Sequence, residues 1–463
     1  MDQRPPVSRR SILRHSAAAA GVSAGAVSLL GISAAAPAAA QTAQAGNTGI
    51  IPVSNVRDFG ATGNGTTDDT AGIQAAIDQT AASGGGIAYL PTGTYAITGI
   101  SLRQGVDLIG ASRNSSVLLF TPASGDAVLV SQLSFSKLST FQVRFAQPVT
   151  SGAAIHLDQS FTIQVSDIFV NDQGGNTGYD DIFSDQSTAT FIDNFNLYGL
   201  THAAVWISGP SGNDVYLSNG ITNLFQASTG ASVLVEDFVN GAVNITDADL
   251  LLGQYAMLVS NSNYMRFENT YFDSSAQGVV IESGNLLTFA NCWFFNRPGS
   301  GLTIGAARGV NVTGGQAVNC GANGIHVSSG ARYVTLSGVQ VVGNNDANVG
   351  ADGILVDGTG IGYVSITGCA VGNDPQAAIL QTVGQQAGIH VTRQVVDAHY
   401  VISNNVLFGN RIGGVVDEGR GPKYVAGNVG NAGPVPAESP SASPGTRDLV
   451  VSAFEAAAQF PRE

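Results

Sequence analysis

The chain has 463 residues, of which 44% are hydrophobic and only 11% are charged, and glycine alone fills 59 positions. The hydrophobic content is sufficient for an extensive core, so it excludes a largely disordered chain. High glycine and low charge favour a fold rich in bends and short strands. No uninterrupted apolar run is long enough to span a bilayer, which argues against a transmembrane helix.

The net charge of the chain is -14, and lysine occurs only at Lys137 and Lys423. A field of this sign repels nucleic acids and other polyanions at long range, unless a local basic patch overrides it. A neutral partner is therefore favoured, and no nucleic-acid partner is expected. The three cysteines, Cys292, Cys320 and Cys369, match no CxxC or zinc-ligand spacing. We expect no metal or other cofactor, and nothing in the sequence supports a calcium site.

The first 45 residues are organised like an export signal. The run Ser8-Arg9-Arg10-Ser11-Ile12-Leu13-Arg14 precedes a weakly apolar segment that reaches Ala36, and small residues follow at 38–40. This pattern resembles a twin-arginine signal peptide, in which paired arginines precede a modest hydrophobic region. A helix belonging to the fold is the weaker alternative, because the run has no polar face. We expect residues 1–45 to be removed and the protein to be periplasmic or secreted.

A repeat with a period near 23 residues runs through the body of the chain. Each repeat has a small residue followed by an apolar-any-apolar triplet, as in Gly278-Val279-Val280-Ile281. Units of this size cannot bury a face alone and must stack on their neighbours. The sequence therefore predicts an all-β fold, a parallel β-helix, with stacked bend residues hydrogen-bonded into a ladder. The predicted ladder column is Asp193, Asn219, Asp247, Asn269, Asn291, Gly314, Gly338, Gly368, Asn404 and Gly427.

The segment before the repeats predicts a cap for the solenoid. Its pattern predicts a strand, a Gly-rich bend, a helix from about Thr70 to Ala82 and a further strand. Asp68 and Asp69 precede the helix, where carboxylates can cap free amides, so a capping role is favoured over a catalytic one. The predicted organisation is a signal region at 1–45, a cap at 46–110, the solenoid at 111–432, and a Pro/Ser-rich linker with a short helix at 433–463.

The cap motifs carry a family resemblance. The phrases Asp58-Phe59-Gly60-Ala61, Asp68-Asp69, Ile73-Gln74-Ala75-Ala76-Ile77 and Gly93-Thr94-Tyr95 resemble the N-terminal cap of the pectate-lyase-like superfamily. That superfamily includes rhamnogalacturonase- and epimerase-like, polygalacturonase-type and phage tailspike-type proteins. The resemblance implies a right-handed parallel β-helix with a short N-terminal capping helix, acting on a polysaccharide. Pectin chemistry is not implied, because the polygalacturonase groove motifs are missing from the coils; for example, Asn269-Thr270 is followed by Tyr271.

Carboxylates are the reactive groups that the repeats offer in number. Glu236 and Glu282 directly follow the first strand of their repeats, and the resemblance implies that the substrate groove runs along this strand. Asp273 precedes the strand of Glu282, and Asp249 lies in the preceding repeat. We rank Glu282, Asp273, Glu236 and Asp249 as catalytic candidates, although a solvated acid is the alternative for each. Two coils separate Glu236 from Glu282 by about 10 Å, and a wide separation of this kind favours an inverting hydrolase.

Four residues are candidates for substrate binding. Trp206, Tyr271, Trp293 and His326 can place rings against sugar faces, although core packing and solvent exposure are alternatives. Trp206 also begins an apolar outward stripe that continues through Leu234, Leu258 and Val280. Such a stripe needs a covering loop, a sugar or another subunit, and the last option admits a homotrimer of the tailspike type.

These observations predict an exported carbohydrate-active enzyme that cleaves a polysaccharide by carboxylate-assisted hydrolysis. The first alternative is a non-enzymatic β-helix protein with a binding or structural role on the cell envelope, since fold does not imply activity. The second is a polysaccharide lyase, which would need an Arg or Lys base. Only Arg266, Arg297 and Arg308 lie in the central coils.

Overall fold

The computed structural model describes residues 51–171, 178–224, 229–295, 298–373 and 384–430. The predicted signal peptide at 1–45 and the predicted linker and helix at 433–463 lie outside these residues. The described chain is an all-β, right-handed parallel β-helix of about 13 turns, as predicted. Each complete turn of the solenoid is called a coil below. Within the described residues, no helix is both long and apolar enough to cross a membrane.

The N-terminal cap is built around one helix, α1, at Thr70–Ala82. A 3-10 helix at Val56–Phe59 precedes it. Ile73 and Ile77 of α1 are fully buried, because the helix turns its apolar side to the first coils of the solenoid. The helix therefore covers the apolar end of the stack.

The two adjacent aspartates before α1 have structural partners. Asp68 Oδ1 accepts a hydrogen bond from the Thr70 N–H at 3.0 Å. Asp69, which is 1% exposed, accepts from the N–H groups of Thr62 at 2.6 Å and Gly63 at 3.0 Å. Burial of a carboxylate is tolerated when several hydrogen bonds satisfy it. The structural interpretation of this pair is confirmed.

Each coil contributes to three parallel ladders, which we name sheets A, B and C. Sheet A contains the strands Ile100–Ser101, Val128–Ser131, Ala153–Asp158, Gly178–Asp185, Leu200–Ser208, Ala231–Glu236, Tyr255–Ser260, Ile325–Val327, Ile354–Val356, Ala387–Val391 and Gly413–Asp417. The long strands Val279–Ala290 and Leu302–Thr313 run from sheet A into sheet B.

Sheets B and C follow sheet A in each coil. Sheet B contains Val53–Asn55, Gly86–Leu90, Val106–Gly110, Asn213–Ser218, Val243–Thr246, Ser262–Glu268, Arg332–Ser337, Gly362–Thr367, Tyr400–Ser403 and Lys423–Ala426. Three strands run from sheet B into sheet C: Lys137–Phe145, Gln164–Asn171 and Thr188–Tyr198. Sheet C also contains Asn64–Asp68, Gly93–Ile97, Ser116–Phe120, Ile221–Asn223, Asp249–Leu251, Tyr271–Asp273, Trp293–Phe295, Gln316–Val318, Gln340–Val342, Ala370–Gly372 and Val406–Phe408.

The bend between sheets B and C explains the predicted Asn/Asp/Gly column. Asn269 and Gly314, for example, have φ angles of 48° and 63°, a left-handed conformation that Asn, Asp and Gly adopt most readily. Asn269 Nδ2 donates to Asp247 Oδ1 at 3.3 Å, so side chains of adjacent coils are joined along the ladder. One member was assigned wrongly: Asp193 pairs with Ser218 within the strand, and Asn194 occupies the bend.

The cysteines lie inside the solenoid. Cys292, Cys320 and Cys369 are buried and are not bonded to one another. The Cys292 thiol donates to the Phe267 carbonyl at 3.4 Å, and burial raises its pKa to about 11. A thiol that keeps its proton at neutral pH is a poor nucleophile. These residues therefore pack as small apolar side chains, as the sequence predicted.

Candidate functional site

The outer face of sheet A carries two parallel columns of side chains, because alternate residues of a strand point to the same side. The central column contains His156, Phe183, Trp206, Leu234, Leu258, Val280, Thr303, His326, Leu355 and His390. The second column, at the strand ends, contains Asp158, Asp185, Ser208, Glu236 and Ser260, and Glu282 continues it. The columns predicted from the repeat are confirmed by this register.

Aromatic rings form a floor at the N-terminal part of this face. His156 stacks on Phe183 with ring centroids 4.7 Å apart, and Phe183 stacks on Trp206 at 3.9 Å with only 9° between the planes. His202 meets Trp206 edge to face at 4.9 Å and stacks on Tyr179 at 4.8 Å. Because the rings stack along the solenoid axis, they use their faces on one another and turn their edges outward. The result is a half-buried apolar strip that the C–H groups of a sugar can contact.

Two carboxylates lie side by side beside this floor. Asp158 and Asp185 are direct partners in adjacent strands, so their Cα atoms are about 4.8 Å apart. Ser131 Oγ donates to Asp158 Oδ2 at 2.6 Å and fixes the orientation of that carboxylate. Glu236 follows two coils later, with Ser208 between it and Asp185.

The surroundings of Asp185 favour a proton on its carboxyl. Burial raises the pKa of Asp185, and the adjacent Asp158 carboxylate adds to the rise, whereas Gln186 and His156 oppose it. Two neighbouring carboxyl groups cannot ionise as readily as one alone, because like charges repel. Asp185 therefore has the environment of a proton donor, and Asp158 is its nearest carboxylate in register.

A recurring Asp–His contact orders the N-terminal edge of sheet A. In each case an aspartate accepts a backbone N–H from the strand of the following coil and also bonds a histidine Nδ1. The three histidine contacts are Asp126 to His156 at 2.9 Å, Asp180 to His202 at 2.8 Å, and Asp352 to His390 at 2.9 Å. The backbone donors are Ala153, Ala203 and Ala387. These aspartates tie consecutive coils together.

His156 places a positive charge behind the paired carboxylates. Burial opposes its charged form, but the hydrogen bond to Asp126 and the charges of Asp158 and Asp185 raise the pKa of His156 overall. Its Nε2 is shielded from solvent and has no hydrogen-bond partner among the described residues. A shielded nitrogen is not positioned to take a proton from a bound sugar. We therefore regard His156 as a residue that positions the carboxylates.

The same contact at His390 predicts a pH-dependent stability. The hydrogen bond to Asp352 raises the pKa of His390 above 6.5, burial opposes this, and Glu418 and Asp357 add to it. The stabilisation is thus complete below pH 6.5 and is lost as the pH rises through the raised pKa. Urea unfolding should show that His390→Asn costs more stability in acidic than in alkaline buffer. In the Asp352→Asn background the same substitution should cost nearly the same at both; a pH-independent cost in the wild type would contradict the assignment.

The eight site residues predicted from sequence divide between two faces. Glu236, Glu282, Trp206 and His326 lie on sheet A, with Ser260 between the two glutamates as predicted. His326 is five coils from Trp206, about 24 Å along the axis. The other four, Asp249, Tyr271, Asp273 and Trp293, lie together on sheet C. Asp273 and Asp249 therefore do not join Glu282 and Glu236 along the strands of sheet A.

The group on sheet C forms a shallow aromatic surface. Tyr271 and Trp293 meet at 5.9 Å with planes 67° apart, and both line a cavity of about 630 Å³. Burial raises the pKa of Asp249. Burial also raises the pKa of Tyr271, and the charge of Asp273 adds to this rise. The surface can contact a sugar, but its two acids are not direct partners, since Asp249 pairs with Tyr271 and Asp273 pairs with Leu251. The catalytic roles of Asp249 and Asp273 remain predictions.

The sequence analysis missed Asp158, Asp185 and Phe183, and it gave His156 no role. A signal was present, because Ile155-His156-Leu157-Asp158 and Ile182-Phe183-Ser184-Asp185 end in an acid, as the repeat of Glu236 does. These coils are spaced 27 residues apart rather than 23, so they fall out of step with the later repeats. Across the described ranges, no group of three or more His, Cys, Asp or Glu residues is arranged to hold a metal ion.

The sequence of this chain matches a known family over more than half of its length. The matching family model is described as rhamnogalacturonase A/epimerase, pectate lyase-like, and it covers residues 53–303. The chain belongs to this family. The resemblance inferred from the cap motifs is thereby confirmed, and carbohydrate-active enzymes are among the relatives.

Individual relatives match over shorter segments or by fold. Mannuronan C5-epimerase AlgE2 of Azotobacter vinelandii is 44% identical over 72 residues, which are 14% of this chain and 7% of that protein. Alginate lyase 7 of the same organism is 43% identical over 72 residues, 14% of this chain and 8% of the relative. The chain thus spans less than a tenth of these curated relatives. The structure of DFA-IIIase from Arthrobacter chlorophenolicus has a TM-score of 0.54 and 12% identity, over 78% of this chain and 95% of that one.

Proposed function

We propose that this protein is an exported enzyme that hydrolyses a glycosidic bond of a polysaccharide on the outer face of sheet A. The observation that carries the proposal is the pairing of Asp158 with Asp185 in adjacent strands, beside the floor formed by Phe183 and Trp206. Glycoside hydrolysis needs two carboxyl groups with different protonation and an apolar surface that orients the sugar. Sheet A provides both within neighbouring coils.

In the proposed mechanism, Asp185 donates its proton to the glycosidic oxygen as the bond to the leaving sugar breaks. The Asp158 carboxylate attacks the anomeric carbon from the opposite side and forms a glycosyl-enzyme ester. Asp185, now ionised, then removes a proton from water, and the resulting hydroxide releases the sugar and restores Asp158. Carboxyl groups about 5 to 5.5 Å apart perform this retaining reaction, and direct partners at about 4.8 Å between Cα atoms are compatible with that separation.

Glu236 and Glu282 support a different stereochemical outcome. They are two coils apart, so a water molecule fits between their carboxylates and inversion is expected if they react as a pair. Proton NMR of the first product formed distinguishes the two pairs, because retention supports Asp158 with Asp185. In the retaining mechanism Glu236 lies further along the groove, where it can bind a hydroxyl of a neighbouring sugar unit.

A polysaccharide lyase or epimerase is the second candidate. It is favoured by the local identity to a mannuronan epimerase and an alginate lyase. Both reactions begin by removing a proton next to a carboxylate, which requires a base and a group that neutralises the sugar's charge. The described outer columns of sheet A contain no arginine or lysine, and His156 Nε2 is shielded. Hydrolysis is therefore the better supported reaction.

A panel of neutral and acidic polysaccharides tests the proposed function. The purified protein is incubated with each, and new reducing ends and unsaturated products are measured in the same samples. We expect new reducing ends with no unsaturated sugar. Unsaturated products would replace the proposal with a lyase. Binding without any change in the polymer would support the non-enzymatic envelope protein.

Export is tested through the paired arginines. In the host, replacing Arg9 and Arg10 by lysine should leave the protein in the cytoplasm at full length, because the twin-arginine route depends on that pair. Cell fractionation with mass analysis of the mature N-terminus measures the outcome. Arg4→Lys is the matched control and should leave export unchanged. Normal export of the paired variant would refute the twin-arginine route.

A further inference from the structure

Two arginines lie side by side at the start of sheet B in a chain whose net charge is -14. Arg308 and Arg332 are direct partners in adjacent strands, so their Cα atoms are about 4.8 Å apart. The ion pairs of the described residues do not include either arginine. Two adjacent like charges repel, and without a carboxylate the pair is destabilising unless an anion binds.

A ladder of exposed rings lies beside this pair. Tyr333 stacks on Tyr363 with centroids 4.8 Å apart and planes 4° apart, and Tyr363 stacks on His399 at 5.1 Å. The two tyrosines are 46% and 44% exposed. The Arg308 guanidinium lies 5.5 Å from the Tyr333 ring centre, and that of Arg332 lies 5.6 Å from Tyr363. Cation–π contacts hold both guanidinium groups at the ring surface.

The backbone at these tyrosines is in an unfavourable conformation. Tyr333 and Tyr363 both have φ angles of 58°, which cost a bulky residue roughly 1 to 2 kcal/mol relative to ordinary conformations. The preceding coil has Gly309 at the equivalent bend, with φ 71°, so glycine is accepted there. Strained residues of this kind persist most often where a function retains them. Gly309 also supplies no side chain between Tyr333 and Leu286 of the coil before it.

We propose that Arg308, Arg332, Tyr333 and Tyr363 bind an acidic sugar unit of the polysaccharide substrate. A guanidinium donates two parallel hydrogen bonds to a carboxylate, and the tyrosine rings contact the C–H groups of the same sugar. This inference rests on the proposed function, because it takes the substrate of sheet A as the ligand. The substrate class is then a heteropolysaccharide that carries uronic acid units in addition to the unit cleaved at Asp158 and Asp185.

The position of this site suits a chain that lies along the solenoid. Arg308 is four coils from Trp206, which corresponds to about 19 Å along the axis. The sheet A groove carries several carboxylates and repels a uronate, whereas the arginine pair attracts one. A second contact on the same polymer also raises its effective concentration at the groove. The arginine pair is the local basic patch that an acidic protein needs to hold an acidic polymer.

Equilibrium binding of labelled oligosaccharides tests the proposal without requiring turnover. The probes are an oligouronate and a neutral oligosaccharide of equal length, and the proteins are the full chain and its Arg308→Gln/Arg332→Gln variant. Loss of two charged hydrogen-bonding groups should weaken oligouronate binding at least about tenfold and leave neutral binding unchanged. Added salt should weaken wild-type oligouronate binding and have little effect on the variant. The Arg266→Gln/Arg411→Gln variant removes the same charge elsewhere and should bind like the wild type.

Three outcomes would overturn the proposal. They are unchanged oligouronate binding in the paired variant, an equal loss in the Arg266/Arg411 control, and a change of oligomeric state on size-exclusion chromatography in place of a binding change. The last would make this surface a subunit interface. Since Tyr333→Ala can act through the backbone, Tyr333→Gly, which accepts the same φ, provides the ring test and should also reduce oligouronate binding. A protein that binds the oligouronate but cleaves no polymer would retain this site and refute only the proposed function.

Discussion

Asp185→Asn is expected to lower kcat by at least about 10² on any polysaccharide that the protein cleaves. The amide keeps the shape of the carboxyl group but has no acidic proton for the leaving sugar. Asp158→Asn should cost as much or more, because it removes the carboxylate that attacks the anomeric carbon. Initial rates at saturating substrate measure both effects, and circular dichroism with thermal unfolding shows that the β-helix is retained.

Matched controls for these variants come from the carboxylates ranked highest by the sequence analysis. Glu282→Gln, Asp249→Asn and Asp273→Asn remove the same charge elsewhere on the solenoid, and we expect each to keep a near-normal kcat. If Glu282→Gln falls by about 10² while Asp158→Asn and Asp185→Asn stay active, the reaction uses the wider pair with Glu236. Near-normal activity of all five variants would place the site on another face.

Trp206→Ala should reduce kcat/KM roughly thirtyfold, mainly by raising KM, as expected for an aromatic residue at the centre of a binding surface. The indole forms the end of the stack through Phe183 to His156 and packs beside Leu234. Its removal opens the floor on which the sugar lies and loosens the adjacent rings. Steady-state kinetics on a soluble oligosaccharide measures the two constants separately.

Trp293→Ala is the control for Trp206→Ala. Trp293 is 48% exposed and contacts Tyr271 on sheet C, so its loss should leave both kinetic constants nearly unchanged. The opposite result, a large effect at Trp293 with little at Trp206, would assign substrate binding to sheet C. A loss in kcat alone at Trp206 would indicate a disturbed Asp185 rather than a lost sugar contact.

The fold was predictable because the sequence repeats its physical constraints in every coil. Asn, Asp and Gly recur at a bend that requires a left-handed backbone, and the apolar alternation between these bends specifies the buried side of each strand. The α1 helix follows from its flanking aspartates and from the spacing of Ile73 and Ile77. The same reasoning gave Asp193 in place of Asn194, because an acid and an amide in succession both fit the pattern.

The site was less predictable because it depends on register between coils of unequal length. Asp158 and Asp185 lie in two coils that are longer than the later repeats, so the period near 23 residues does not align them. Asp273 and Glu282 are close in sequence, but the chain bends between them and places them in different sheets. Sequence distance predicts spatial distance only within one strand, so position on a given face had to come from the structure.

A crystal structure of the Asp185→Asn protein with an oligosaccharide of its best polymer tests the central claim most directly. The account predicts a sugar chain along sheet A, in contact with Phe183 and Trp206. The glycosidic oxygen should lie within hydrogen-bond distance of the amide introduced at position 185, and the anomeric carbon should face Asp158. A sugar chain bound to Tyr271 and Trp293 on sheet C, with sheet A empty, would contradict it.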